Sequence, residues 1–114
     1  MIAAPSLAQW AAAFALTLAA ETPVAAFAFR RDCASLARRL RAGLLANAAT
    51  HPLLVLLLPR LLPMDLPTLL VAELGVVLIE GVIYAGLLRA STAKGLAVSL
   101  LANAASFLAG VLVL

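Results

Sequence analysis

The chain has 114 residues, 66% of them hydrophobic, and a mean hydropathy of +1.16, which allows one domain and excludes an ordinary soluble one. Only 11% of the residues are charged, against about a quarter in soluble domains, so lipid must cover most of the surface. The net charge of +3 does not point to nucleic acid: five of the eight basic residues, Arg30, Arg31, Arg38, Arg39 and Arg41, fall in one short connection, where basic residues flanking apolar spans set membrane orientation.

The composition and hydropathy pattern predict an all-α membrane protein, a single transmembrane domain over 1–114 with spans at about 7–29, 42–58, 68–88 and 95–114. No basic residue precedes the first apolar run, and the arginines follow it. That polarity is opposite to a cleaved secretory signal, so the first segment is expected to stay as a span with its N-terminus outside. Trp10 lies near its start, where an indole suits the interface, and Pro23 in Glu21-Thr22-Pro23 is expected to kink it.

The connection 30–41 is rich in Ala, Leu and Arg. Its Leu36 and Leu40 share a helical face that suits the membrane surface, with the arginines meeting anionic head groups at about 1 kcal/mol each. Cys33, the one cysteine, excludes an intrachain disulfide and reads as an inert small residue. The second span is short, and the proline-rich stretch 59–67 that follows reads as a stiff, non-helical turn. The first and third connections carry seven Lys/Arg, the second carries only Arg60, and the termini carry none. This places the basic connections inside and both termini outside.

Two stretches repeat. Leu-Leu-Ala-Asn-Ala-Ala followed by Thr50 recurs as the same six residues followed by Ser106, with Asn47 and Asn103 separated by 56 positions, close to half the chain. Glu21-x-x-Val24 and Glu80-x-x-Ile83 match in the preceding spans. Both glutamate spans run inward and both asparagine spans run outward. The halves 1–58 and 59–114 thus form parallel-repeat helical hairpins about a pseudo-twofold axis along the membrane normal. His51 breaks the symmetry, since its counterpart is Phe107.

At about 1.5 Å per residue, Glu21, Asn47, His51, Glu80 and Asn103 all lie about 8 to 14 Å from the inner boundary. Asn47 and His51, Glu80 and Tyr84, and Asn103 and Ser106 are three or four residues apart and so share faces. Glu73 lies on the side of Glu80, about 10 Å further out. Such groups are costly toward lipid and are expected to face the bundle interior. The cation- or proton-binding candidates are Glu21, Glu80, His51, Asn47, Asn103 and Glu73, with Thr50, Ser106 and Tyr84 in support. The layer has no Lys or Arg. Its carboxylates favour holding or sharing a proton, and the site suits a proton, an organic cation or a divalent metal ion on His51, Glu21 and Glu80. Small residues such as Gly81, Gly86 and Gly110 are read as allowing close helix packing.

The pattern Glu-x-Pro, Asn-x-x-Thr-His-Pro, Glu-x6-Glu and Asn-x-x-Ser resembles that of a group of small bacterial four-span inner-membrane proteins. The resemblance covers nearly the whole chain and implies that location, with no particular activity. In size, span number and a first-span carboxylate at Glu21, the chain also resembles the small multidrug resistance transporters, in which one membrane glutamate exchanges protons for cationic drugs in a dimer. It departs from them in the deeper position of Glu21, in Glu80 and His51, in the internal duplication and in an aromatic content of 5%. Asn47-x-x-x-His51 faintly resembles, in reverse order, a motif of intramembrane prenyl endopeptidases. The paired glutamates and second histidine of those enzymes are absent.

The leading expectation is proton-coupled transport or binding of a metal ion or small cation. The alternatives are an accessory subunit whose polar layer only locks four helices, and a glutamate/histidine intramembrane hydrolase. Four helices are thin for a pathway, which favours a homodimer or a larger membrane complex.

Overall fold

Four helices, each long and apolar enough to cross a membrane, make up the chain, which fits a small multi-pass membrane protein. The computed structural model describes residues 6–63 and 65–113. Both chain ends, including Leu114 at the close of the fourth predicted span, and Met64 in the second connection lie outside the described residues. The bundle measures 45 × 24 × 21 Å, and its long axis matches a bilayer with its head groups, about 40–45 Å.

Helix α1 spans Leu7–Ala28. It opens with a capping box: the Gln9 N–H donates to Ser6 Oγ at 3.1 Å, and the Ser6 N–H donates to Gln9 Oε1 at 2.9 Å, so two otherwise unpaired donors are satisfied. The helix continues through Pro23, which is exposed. Trp10 does not behave as a simple interface anchor. It stacks on Phe14 with ring centroids 5.3 Å apart, and its indole Nε1 is buried without a partner.

Helix α2, Leu36–Pro52, corrects the predicted second span. Ser35 caps it by accepting from the Arg38 N–H at 3.2 Å, and no helix breaker separates Leu36 from Ala42. The helix therefore starts in the arginine-rich connection, and no separate surface helix forms there. At Pro52 the chain passes into a π-helical turn, Leu53–Leu57, and then the short α3, Leu58–Leu61. Together these make one 26-residue apolar helix, so the span is long. Pro59 follows directly on the π-helical turn, at the start of α3. The predicted stiff turn over 59–67 shrinks to the residues between Leu61 and Leu66.

Helix α4, Leu66–Leu88, is capped by Asp65, whose side chain accepts from the Thr68 N–H at 2.9 Å. Thr68 holds the Asp65 carboxyl below the usual carboxylate range. The cap is therefore intact above that range and is lost as pH falls through the lowered value. Helix α5 spans Thr92–Val113. Between them Arg89 takes the left-handed conformation, φ 56° and ψ 38°, that closes many helix ends.

Each of α1 and α4 packs against both α2 and α5, so the helices form a ring in the order α1, α2, α4, α5. The α4–α5 seam is close at one point. A Cβ on Gly81 would meet the Leu96 Cα at 2.9 Å, and one on Gly95 would fall on the Gly81 carbonyl oxygen. Gly86 and Gly110 face open space, so of the three glycines expected to aid packing only Gly81 does.

The basic end of the bundle holds the apolar core: Ala25, Phe29, Cys33, Ala42, Ala46, Tyr84, Leu88 and Val98. The arginines there also close helix C-termini. Arg39 donates to the Ala26 carbonyl, Arg30 to Phe27 O at 2.8 Å, and Arg38 to Leu87 O at 3.2 Å. These last-turn carbonyls have no partner within their own helices and carry the negative end of the dipole. An ion pair between Lys94 and Asp32 ties the two basic connections together at this one end.

Candidate functional site

Next to the core, on the side away from the basic end, the helices leave a cavity of about 190 Å³ lined by Thr17, Glu21, Asn47, Thr50, His51, Leu54, Glu73, Val76, Asn103 and Ser106. Every long helix contributes. Glutamates and hydrogen-bonding side chains recur at helical spacing on the inward faces, because each would be costly against lipid. No Lys or Arg lines the cavity.

Seven of the nine predicted site residues meet here: Glu21, Glu73, His51, Asn47, Asn103, Thr50 and Ser106. Glu80 and Tyr84 do not line the cavity; both are fully buried beside it. Tyr84 belongs to the basic-end core, its ring 5.4 Å from that of Phe29, and its hydroxyl has no protein partner.

Glu21 and Glu80 are both buried, yet their surroundings differ. The Glu80 carboxyl has a partner at each oxygen: Asn103 Nδ2 donates to Oε1 at 2.7 Å, and the Thr50 hydroxyl, whose single hydrogen is shared with the Ala46 carbonyl at 3.2 Å, lies 3.4 Å from Oε2. Glu80 thereby ties α4 to both α5 and α2. Glu21 is 1% exposed. Asn47 and Ser106 approach its carboxylate, but its buried Oε1 accepts no hydrogen bond. The amide of Asn47 donates instead to Gly43 O at 2.9 Å, and the Ser106 hydroxyl to Asn103 O at 3.1 Å. Glu21 thus lines the cavity with one buried carboxylate oxygen left without a hydrogen-bond partner, which is uncommon for a buried group.

His51 is set among aromatic rings. Its ring lies against Phe14 and Trp10, at centroid distances of 5.2 and 6.2 Å, and its Nδ1 has no partner. No ion pair links it to a glutamate among the described residues. The metal set of His51, Glu21 and Glu80 is likewise not assembled. Among the described residues, no group of three or more His, Cys, Asp or Glu side chains is placed to hold a metal ion. The physical reason is that Glu80 is committed to Asn103 and Thr50, while His51 packs against aromatic rings.

No protein-family model, curated protein or solved structure matches the chain.

Two polar residues at the site go beyond the predicted set. Thr17 lines the cavity one turn before Glu21. Ser99, fully buried, accepts from Asn103 Nδ2 through its backbone oxygen at 2.8 Å and its Oγ at 3.4 Å. Each lies four residues from a predicted site residue, so the i, i+4 rule that grouped the others contained both.

Proposed function

We propose that the protein binds a small organic cation in the central cavity in exchange for a proton on Glu21, as a proton-coupled transporter in a bacterial inner membrane. The observation that carries this is the unpaired, buried Oε1 of Glu21 in a cavity rich in oxygen acceptors and without Lys or Arg. A cavity that offers oxygen acceptors and no Lys or Arg suits either a proton on Glu21 or a cation in its place. The uncoordinated arrangement of His51 and Glu80 favours an organic cation over a metal ion.

Glu80 supports a second, complementary role. With both oxygens bonded to neighbouring helices, it acts as a helix lock, the part assigned to the whole layer in the accessory-subunit reading. The hydrolase reading has no such support, since no hydrogen bond joins His51 to a glutamate.

The pseudo-twofold repeat belongs to this proposal. Its support is the exchange of partners between hairpins: Glu80 takes Asn103 from its own hairpin and Thr50 from the other, while Asn47 of its own hairpin and Ser106 of the other approach Glu21. The ring order of the helices is the one such an axis requires. The basic connections are assigned to the cytoplasm and both termini to the periplasm.

The test is uptake of tetramethylammonium, which has no uncharged form, into proteoliposomes under an imposed proton gradient. Wild-type protein is expected to give gradient-dependent uptake and Glu21→Gln none. Equal uptake by the two proteins overturns the proposal.

A further inference from the structure

A second space meets the cavity from the lipid side. Between the outer halves of α4 and α5 runs a groove of about 540 Å³, its walls formed mainly by apolar side chains including Leu74, Leu100, Phe107 and Leu108. These four are 59 to 69% exposed, so in a bilayer they face acyl chains. Two polar residues also line the groove, Glu73 and Asn103, and both line the central cavity as well. Glu73 and Asn103 are thus the side chains that stand between the two spaces.

The chemistry of that boundary selects its occupant. The Asn103 amide nitrogen is committed to Glu80 and Ser99, which leaves its oxygen as the free polar atom. Beside it stands the Glu73 carboxyl. Both present oxygen, and no Lys or Arg lines either space. A phosphate or other anionic head group meets only like charge and acceptors here, whereas a cationic head group is attracted. The apolar walls meanwhile match an alkyl chain already dissolved in the bilayer.

We propose that the α4–α5 groove is a binding site for single-chain ammonium amphiphiles, which reach the cavity sideways from the membrane with the head group between Glu73 and Asn103 and the chain along Leu74 and Leu108. The inference rests on the cation-binding reading of the cavity and adds to it the substrate class and the route. Phe107 stands at the lipid-facing wall, where the first hairpin carries His51. The duplicated halves thus differ at the position where one of them opens to lipid.

The experiment compares tetramethylammonium with dodecyltrimethylammonium, each below its micellar concentration, by equilibrium binding to the full chain in zwitterionic lipid nanodiscs. Two variants probe the groove. Ala104→Trp fills it from a lipid-exposed position, and Glu73→Gln removes the charge at its boundary. Wild-type protein is expected to bind the long-chain cation at least about tenfold more tightly than tetramethylammonium. Both variants should lose that preference, and Ala104→Trp should still bind tetramethylammonium and release a proton as wild type does. If either correctly folded variant keeps the full long-chain preference, or wild type shows none, the groove proposal is overturned while tetramethylammonium binding at Glu21 stands. If wild type binds neither cation, the cation-binding reading fails and takes this inference with it.

Discussion

Two carboxylates that look equivalent along the chain do different things in the bundle. Glu80 accepts from Asn103 and Thr50, whereas Glu21 keeps a buried oxygen free. Removing Glu80 deletes two interhelical hydrogen bonds, and Glu80→Ala is expected to lower stability by roughly 1–3 kcal/mol. Glu21→Gln keeps the shape of the side chain and breaks no hydrogen bond at Oε1, so its melting temperature should stay near that of wild type. Thermal unfolding of both variants in the same detergent checks the contrast. Comparable losses at the two positions would count against the division of roles. The i, i+3 and i, i+4 spacing makes the polar layer itself legible in the sequence, since a polar side chain in a span must turn inward. The division between the glutamates is not legible, because it depends on which donors the neighbouring helices aim at each carboxylate. The same holds for His51, whose aromatic neighbours Trp10 and Phe14 lie some forty residues earlier in the chain.

Among the elements, α2 shows where hydropathy misleads. Arginines lower the mean hydropathy of 36–41 and push the apparent start of the span to Ala42, although the residues there are good helix formers. Their guanidinium groups satisfy carbonyls at the ends of α1 and α4, a use of basic residues that the positive-inside pattern does not reveal. The α4–α5 seam depends instead on the absence of side chains. Gly95 lies against the Gly81 carbonyl, so Gly95→Ala must push the helices apart, at a cost of roughly 1–3 kcal/mol for overpacking. Gly86→Ala and Gly110→Ala, facing open space, should be neutral or slightly stabilising in the same unfolding assay. Gly95 is inconspicuous in the sequence because it stands near the start of an apolar run, and only the crossing point of the two helices gives it meaning.

At the scale of the whole molecule, the four apolar runs make the number of candidate spans legible, and all four helices are long and apolar enough to cross a bilayer. The Lys94–Asp32 pair and the arginine caps gather both basic connections at one end, as the proposed orientation requires. A cysteine placed at Ser91, after Cys33→Ala, is therefore expected to react with a membrane-impermeant maleimide only once cells are permeabilised, while one placed at Pro63 reacts in intact cells. The reverse pattern would invert the topology and with it the direction in which the cavity works. The basic end is filled by the core around Phe29, Tyr84 and Leu88, so the proposed cation path does not run through it. The central claim is that Glu21 trades its proton for a cation, and the most direct measurement is proton release from the purified protein, followed with a pH indicator in weak buffer as tetramethylammonium is added. Wild type and Glu80→Gln are predicted to release up to one proton per bound cation, and Glu21→Gln none. Saturable binding with no proton released by wild type, or the same release from Glu21→Gln, would contradict the account.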